Sequence, residues 1–348
     1  RNSVQTSLFD GVTLMITQLT MLLGIWVMIP AVSQGSLSGV SLAVVALLIS
    51  ASFEATAPLP LAAQQLNASL AAAGRIFKLV EPGKGQGSGV EQRGGLLPEV
   101  PVRLEIQKVT FQYTEDTPEI VRDFSLQLER GQTIAVVGPS GAGKSTLVQL
   151  LLRFWQPQRG TILLDDTNII DLDEEWLRKQ FGVVSPATMI FNLSLRENLL
   201  LAREDADDQA LLSAIHSSGL EDWFESLPSG LDTFLGEQGA FLSAGERQRI
   251  AAARVLLQAP PFLLLDEPVA HLDGLTGQSI LKQLLNMTPP PGVLYITHDL
   301  LSLGEMDEIL LLEGGEVVER GTFAHLLAKG GKFARLVETQ QNFLETAK

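Results

Sequence analysis

The chain has 348 residues, a formal net charge of −15 and no cysteine. That length holds one large domain or two ordinary ones. The missing thiols exclude a disulfide, a thiolate metal site and a cysteine nucleophile, and the acidic balance argues against a nucleic-acid partner, whose phosphates are bound mainly by Lys and Arg.

No charged residue falls between Gly11 and Phe53, so the apolar character is concentrated at the N-terminal end. Residues 12–33 are long and apolar enough to cross a bilayer as a helix, and residues 37–57 form a second candidate span. Gln34-Gly35-Ser36 reads as a tight turn between them, which gives a membrane hairpin. No basic stretch precedes the first span and a second span follows, unlike a cleaved signal peptide; two buried helices of a soluble core are the competing reading. A lone hairpin cannot enclose a translocation path and the sequence starts at Arg1 rather than Met, so the expectation is the C-terminal part of a transmembrane domain whose earlier spans are missing. Glu54 closes the second apolar run before Pro58 and Pro60, either as a functional group at membrane depth or as an interfacial carboxylate beside a kinked helix end. Residues 61–80 read as a helix that carries the second span into the cytosol. Residues 81–101, rich in Gly, Pro and charge, read as a flexible linker. The expected organisation is therefore a membrane part over 1–80, a linker over 81–101 and a second domain over 102–348.

The second domain opens on Val102–Val109, whose alternation of apolar and polar residues predicts a half-buried strand. Thr133–Val137 is a short β-branched run that predicts a buried strand, and Leu147–Arg153 predicts a helix. Between them lies Gly138-Pro139-Ser140-Gly141-Ala142-Gly143-Lys144-Ser145-Thr146. A glycine-rich loop in that setting curls its N–H groups toward phosphate oxygens and adds the positive end of the following helix. Lys144 then reaches the β- and γ-phosphates, and the Ser145 hydroxyl ligates Mg²⁺. Downstream come Leu242-Ser243-Ala244-Gly245-Glu246, Phe262-Leu263-Leu264-Leu265-Asp266-Glu267-Pro268, Leu272-Asp273 and Ile296-Thr297-His298. Ser243 and Gly245 begin a predicted helix running through Arg254, and a helix N-terminus is an anion site. Asp266 and His298 end apolar strands, which in a P-loop sheet point at the ligand crevice.

This ordered set resembles the nucleotide-binding domain of ATP-binding cassette (ABC) proteins, with its P-loop, signature, Walker B strand, D-loop and switch histidine, from about Val102 to the C-terminus. The resemblance implies an α-helical transmembrane segment of exporter type, partial, followed by an α/β P-loop NTPase cassette. It implies ATP and Mg²⁺ as ligands. Gly138, Ser140, Gly141, Gly143, Lys144, Ser145 and Thr146 would hold the phosphates, Tyr113 would stack on adenine, and Ser145 and Asp266 would hold the metal. Glu267 would be the general base, with Lys144 and His298 acting on the γ-phosphate. Ser243, Gly245 and Asp273 would complete the site across a dimer in which two cassettes sandwich two ATP molecules.

Two departures stand out. The signature reads Leu-Ser-Ala-Gly-Glu where Leu-Ser-Gly-Gly-Gln is commoner in the family, and Pro186 falls where the family places a glutamine that touches Mg²⁺ and links the cassette to the membrane domain. A membrane domain fused ahead of a cassette resembles the bacterial exporter half-transporter. The junction, Ala51 to Gln65 with Ala71 to Phe77, looks like the CydC subunit of the CydDC exporters, heterodimers of the bacterial inner membrane connected with cytochrome bd assembly and with export of cysteine and glutathione or movement of haem. That resemblance implies a CydD-like second half-transporter as partner, a lipid bilayer, a small-molecule substrate, no nucleic acid, and a cassette on the cytoplasmic side. A lipid or multidrug exporter half competes with it, and so does a soluble ABC ATPase acting on DNA or ribosomes.

Overall fold

The structure, a computed structural model, describes residues 2–34, 38–56, 58–80, 100–114, 116–270, 272 and 274–346. The chain divides into two compact units, Arg1–Gly89 and Val90–Lys348.

The first unit consists of helices α1 (Asn2–Ser33), α2 (Gly39–Thr56) and α3 (Leu59–Val80). The first helix starts at Asn2, earlier than the apolar run alone predicted, because Asn2 to Asp10 contains no glycine or proline to stop it. Within it Leu14–Ser33, 20 residues at mean hydropathy 1.8, is long and apolar enough to cross a membrane; the apolar stretch of α2, Gly39–Ala55, is shorter. At Gly24 a Cβ would lie 2.7 Å from Ile49 Cδ1, so the missing side chain lets α1 and α2 approach closely, as small residues do between apolar helices. Pro58 stands in the break between α2 and α3, where a residue without an N–H cannot continue a helix. Glu54 is exposed near the end of α2. Gly35 and Ser36 of the expected turn, and residues 81–99 of the expected linker, lie outside the described residues.

The second unit holds two sheets. The antiparallel one, in the order β2-β1-β4-β5, is built from β1 (Arg103–Phe111), β2 (Val121–Glu129), β4 (Arg159–Leu164) and β5 (Thr167–Asn168). The other, in the order β10-β9-β3-β8-β7-β6, contains β3 (Thr133–Val137), β6 (Phe181–Val184), β7 (Phe262–Asp266), β8 (Gly292–Ile296), β9 (Glu308–Glu313) and β10 (Glu316–Gly321). All its strands run parallel except β10, which folds back on β9 through Gly314 and Gly315, both at positive φ, the pairing that a two-residue hairpin demands. Helices α4 (Lys144–Leu151), α5 (Glu174–Lys179), α6 (Leu195–Leu200), α7 (Asp208–Ser217), α8 (Glu221–Glu225), α9 (Ala244–Gln258), α10 (Gly274–Leu285), α11 (Phe323–Lys329) and α12 (Lys332–Thr346) complete the unit.

The central strands are apolar at every position because both faces of the sheet are covered. Ile134, Val136, Leu264, Leu294 and Ile296 face the antiparallel sheet and α4 in one core. Their neighbours Ala135, Val137, Leu263, Leu265, Val293 and Tyr295 face a second core with α9, α10 and α12. A third cluster joins α6 and α7 to Ile250, Ala253 and Leu257 of α9. With Ala251, Ala252 and Val255 in the second core, α9 is gripped on two faces. It therefore moves with both layers or with neither.

Candidate functional site

The P-loop leaves the C-terminal end of β3 and closes on α4. Its glycines differ in what they are for. A Cβ at Gly138 would run into the carbonyl oxygen of Leu312 on β9, and one at Gly143 would lie 2.6 Å from the carbonyl oxygen of Ile120, whereas Gly141 opens on empty space. All three have positive φ. Gly143→Ala therefore forces both a left-handed alanine and a backbone clash, a strain of about 2 kcal/mol or more. We expect ATP affinity to fall roughly tenfold or more in a fluorescence titration, with the loop as the part that yields. Gly141→Ala, which meets only the conformational penalty, should lose less.

Lys144 is 6% exposed, and its Nζ donates to the carbonyl oxygens of Gly138 and Pro139 at 2.8 and 2.9 Å. Burial pushes its pKa below the usual lysine range, with the Glu267 and Asp266 carboxylates acting in the opposite direction. The ammonium thus hangs inside the loop, where a phosphate chain would lie. Beside it the Asp266 carboxyl is pushed up by burial while a hydrogen bond from the Ser145 side chain pulls it down. Ser145 and Asp266, predicted to share a metal ion, are in contact through that hydrogen bond. Among the described residues no cluster of three or more His, Cys, Asp or Glu could hold a metal by itself. The Ser145–Asp266 pair fits Mg²⁺, which keeps waters and phosphate oxygens and takes only one or two protein ligands.

The ends of β7 and β8 bring Glu267 and His298 together, Nε2 to Oε1 at 2.7 Å. Glu267 has φ 49, a left-handed conformation uncommon outside glycine. Its N–H donates to the Ile296 carbonyl at 2.9 Å, and its own carbonyl accepts from the Ala270 N–H at 3.2 Å and from Gln248 Nε2 at 3.1 Å. Strain held on both sides is the mark of a residue aimed for a purpose.

Tyr113 sits over α4. Its hydroxyl lies 3.1 Å from Thr146 Oγ1 and donates to Gln149 Oε1 at 3.1 Å, while its ring meets Phe111 and Trp155 edge-on at 5.0 and 5.3 Å. The predicted base platform is thereby fixed to the P-loop helix, and the Thr146 hydroxyl, predicted to face phosphate, is turned to Tyr113. Ser140 is exposed at the loop tip.

Ser243 is the N-cap of α9: its Oγ accepts the Glu246 N–H at 3.2 Å, and the Glu246 carboxylate accepts the Ser243 N–H at 2.7 Å. The departure to Glu at 246 is therefore one half of a capping box. Gly245 lies in the first turn of the same helix. Among the described residues neither hydrogen-bonds to the P-loop or to Asp266, Glu267 or His298 within the chain. Pro186 lies exposed after β6, and Asp273 lies outside the described residues.

Three residues here were not among the predicted site residues. Asn198 is fully buried; its amide donates to the carbonyls of Phe191 and Ser194 at 3.1 and 2.9 Å. Arg254 donates to the Asn198 carbonyl, to Asn198 Oδ1 and to the Met189 carbonyl at 2.8, 2.7 and 2.8 Å. Burial lowers its pKa to about 10. Gln248 was the legible one: with Ala251, Ala252 and Val255 it falls at helical spacing on an apolar stripe, where an uncharged polar side chain signals a specific partner.

A protein-family model described as "ABC transporter" matches residues 121–270, the stretch that holds the P-loop, α9 and Glu267. Residues 121–270 belong to the ABC transporter family. The family implies that this cassette binds ATP, and the loop, the Lys144 ammonium and the Ser145–Asp266 pair fit ATP with Mg²⁺. Over its length the chain is similar to the glutathione/L-cysteine transport system ATP-binding/permease protein CydC of Escherichia coli (strain K12), 37% identical over 339 residues, 96% of this chain and 57% of that protein. It is 38% identical over 239 residues to a putative multidrug export ATP-binding/permease protein of Staphylococcus aureus (strain NCTC 8325 / PS 47), covering 68% of this chain and 41% of the relative. A solved bacterial Atm1-family ABC exporter with ATP bound superposes with a TM-score of 0.71 at 30% identity, over 97% of this chain and 59% of that one. The chain thus spans little more than half of these relatives at most. Its N-terminal helices followed by an α/β cassette are the fold expected of an exporter half with a partial membrane domain.

Proposed function

We propose that the chain is the ATP-hydrolysing part of a membrane ABC exporter half-transporter, working in a bacterial inner membrane with its cassette on the cytoplasmic side. The pair formed by Glu267 and His298 beside the P-loop carries the enzymatic reading. The phosphates of ATP would lie on the N–H groups between Gly138 and Thr146, with the Lys144 ammonium donating its third N–H to a phosphate oxygen while it holds the two loop carbonyls. Ser145 and Asp266 would hold Mg²⁺, which would supply positive charge to offset that of the phosphates. The Glu267 carboxylate accepts a proton from the attacking water, whose oxygen bonds to the γ-phosphorus as the bond to the β-phosphate oxygen breaks, giving ADP and phosphate. His298 orients that carboxylate and the γ-phosphate. Residues 1–80 would serve as membrane part, 81–101 as linker and 102–348 as cassette.

For the finer assignment we favour a CydC-like subunit paired with a CydD-like half-transporter, moving cysteine, glutathione or haem. What supports it is that the match to the E. coli protein runs through the N-terminal helices as well as the cassette, 96% of the chain. A multidrug exporter half is the second reading, supported by 38% identity to the Staphylococcus protein. The deciding experiment is ATPase activity of the full-length heterodimer in lipid, titrated separately with haem, cysteine, glutathione and a hydrophobic cationic drug. Stimulation by a thiol or haem alone supports the first reading, and stimulation by the drug alone supports the second.

Pro186 offers no amide oxygen to a metal and no N–H to a neighbouring loop. Pro186→Gln should leave ATP affinity within about twofold while raising substrate-stimulated hydrolysis at this site, measured with the partner's catalytic glutamate disabled. No gain under that condition makes Pro186 a neutral loop residue.

A further inference from the structure

Gln248 is 2% exposed, and its amide donates to the backbone carbonyl of Glu267 at 3.1 Å. It is thus a side chain of α9 that reaches across to the backbone of the residue assigned as general base. That backbone is in a left-handed conformation, from which an L-residue relaxes unless it is held. The Ile296 carbonyl holds its N–H, and Ala270 and Gln248 hold its carbonyl. The Ala270 bond is local to the turn. The Ile296 bond ties Glu267 to β8 within the sheet, and the Gln248 bond ties it to a helix outside the sheet.

That element is α9, whose two ends are committed elsewhere. Ser243 and Gly245 stand at its start. Arg254, further along, is bound to Met189 and Asn198 through three hydrogen bonds, with no carboxylate among those partners. A guanidinium bound to backbone and amide oxygens locks α9 to α6 through Asn198 and to the segment after Pro186 through Met189. Any displacement of α9 is therefore felt at Glu267 through Gln248, while the segment after Pro186 is carried along by Arg254.

We infer that Gln248 is a positioning residue for ATP hydrolysis: it aims the Glu267 carboxylate and ties that aim to the position of the signature end of α9. The inference rests on the reading of this chain as one of two ATP-sandwiching cassettes. In such a dimer Ser243 and Gly245 address the nucleotide bound by the partner, so Gln248 makes the base at this chain's own site respond to occupancy of the other.

Two isosteric variants test it. Gln248→Met keeps length and apolar volume but removes the donor, and the Ala270 N–H still serves the Glu267 carbonyl. Gln248→Glu donates only when protonated, and burial favours the protonated form. Each is assembled with the full-length partner in lipid nanodiscs, the partner's catalytic glutamate disabled, and assayed for kcat, KM, cooperativity in ATP and thermal midpoint. We expect Gln248→Met to lower kcat roughly tenfold to a hundredfold with KM within about twofold and the cooperativity weakened. The kcat of Gln248→Glu relative to wild type should climb as pH falls from about 8 to about 6, a profile that a packing role does not produce. A wild-type heterodimer without ATPase activity overturns the exporter reading and this inference with it. An active wild type whose Gln248→Met variant keeps its kcat overturns the inference alone. So does a loss of kcat that follows the thermal midpoint down in both variants with no pH profile in Gln248→Glu.

Discussion

Lys144→Ala should weaken ATP binding by roughly a hundredfold, the largest loss of affinity expected from any single side chain of the cassette. Two effects add. The phosphates lose a charge-assisted donor worth about 1.5–3 kcal/mol, and the carbonyls of Gly138 and Pro139 lose the ammonium that ties them together. The second effect acts on the loop before ATP arrives. Gly141 has open space around it, and the Ala142 N–H donating to the Pro139 carbonyl at 3.2 Å is left to brace the tip. Affinity equal to wild type in a fluorescence titration would remove Lys144 from the phosphate site.

Glu267→Gln should leave ATP affinity intact and lower turnover at this site by about two to four orders of magnitude. An amide cannot take the proton of the attacking water, yet it can still accept from His298 Nε2, which lies 2.7 Å from the present carboxylate oxygen. The backbone bonds of residue 267 to Ile296, Ala270 and Gln248 do not involve its side chain, so the loop keeps its shape. Single-site turnover, with the partner's base disabled, is the measurement. A rate within threefold of wild type, about 0.7 kcal/mol, would mean that another group activates the water.

Much of the cassette was legible because its signals are local. Thr133–Val137 had the length and β-branched content of a buried strand, and Gly138 to Thr146 had the spacing of a loop whose shape is set by backbone alone. The same held for Asp266 and His298, which follow apolar strands and so fall at one edge of the sheet. What stayed hidden depends on partners far apart in the chain. Nothing near Arg254 announces Asn198, and although Gln248 stands polar on an apolar stripe, nothing in the sequence names the Glu267 backbone as its partner. The β9–β10 hairpin was readable from Gly314-Gly315 and was passed over, and the capping box at Ser243 and Glu246 was seen only as a departure from a family pattern. In the first unit, hydropathy located the apolar core of α1 but not its start, since polar residues that favour no particular ending let a helix run on.

The double coverage of β3, β7 and β8 has a consequence for how ATP binding can be watched. Amides in strands buried on both faces exchange with solvent deuterium only when the whole unit opens. A ligand that binds only the folded form raises that opening free energy by RT ln(1 + [L]/Kd), about 2.7 kcal/mol at a hundred times Kd. Saturating ATP should therefore slow exchange roughly a hundredfold at Ala135, Leu264 and Leu294, residues sealed inside the two cores. The affinity of the site becomes readable as deuterium uptake at positions that never touch a nucleotide.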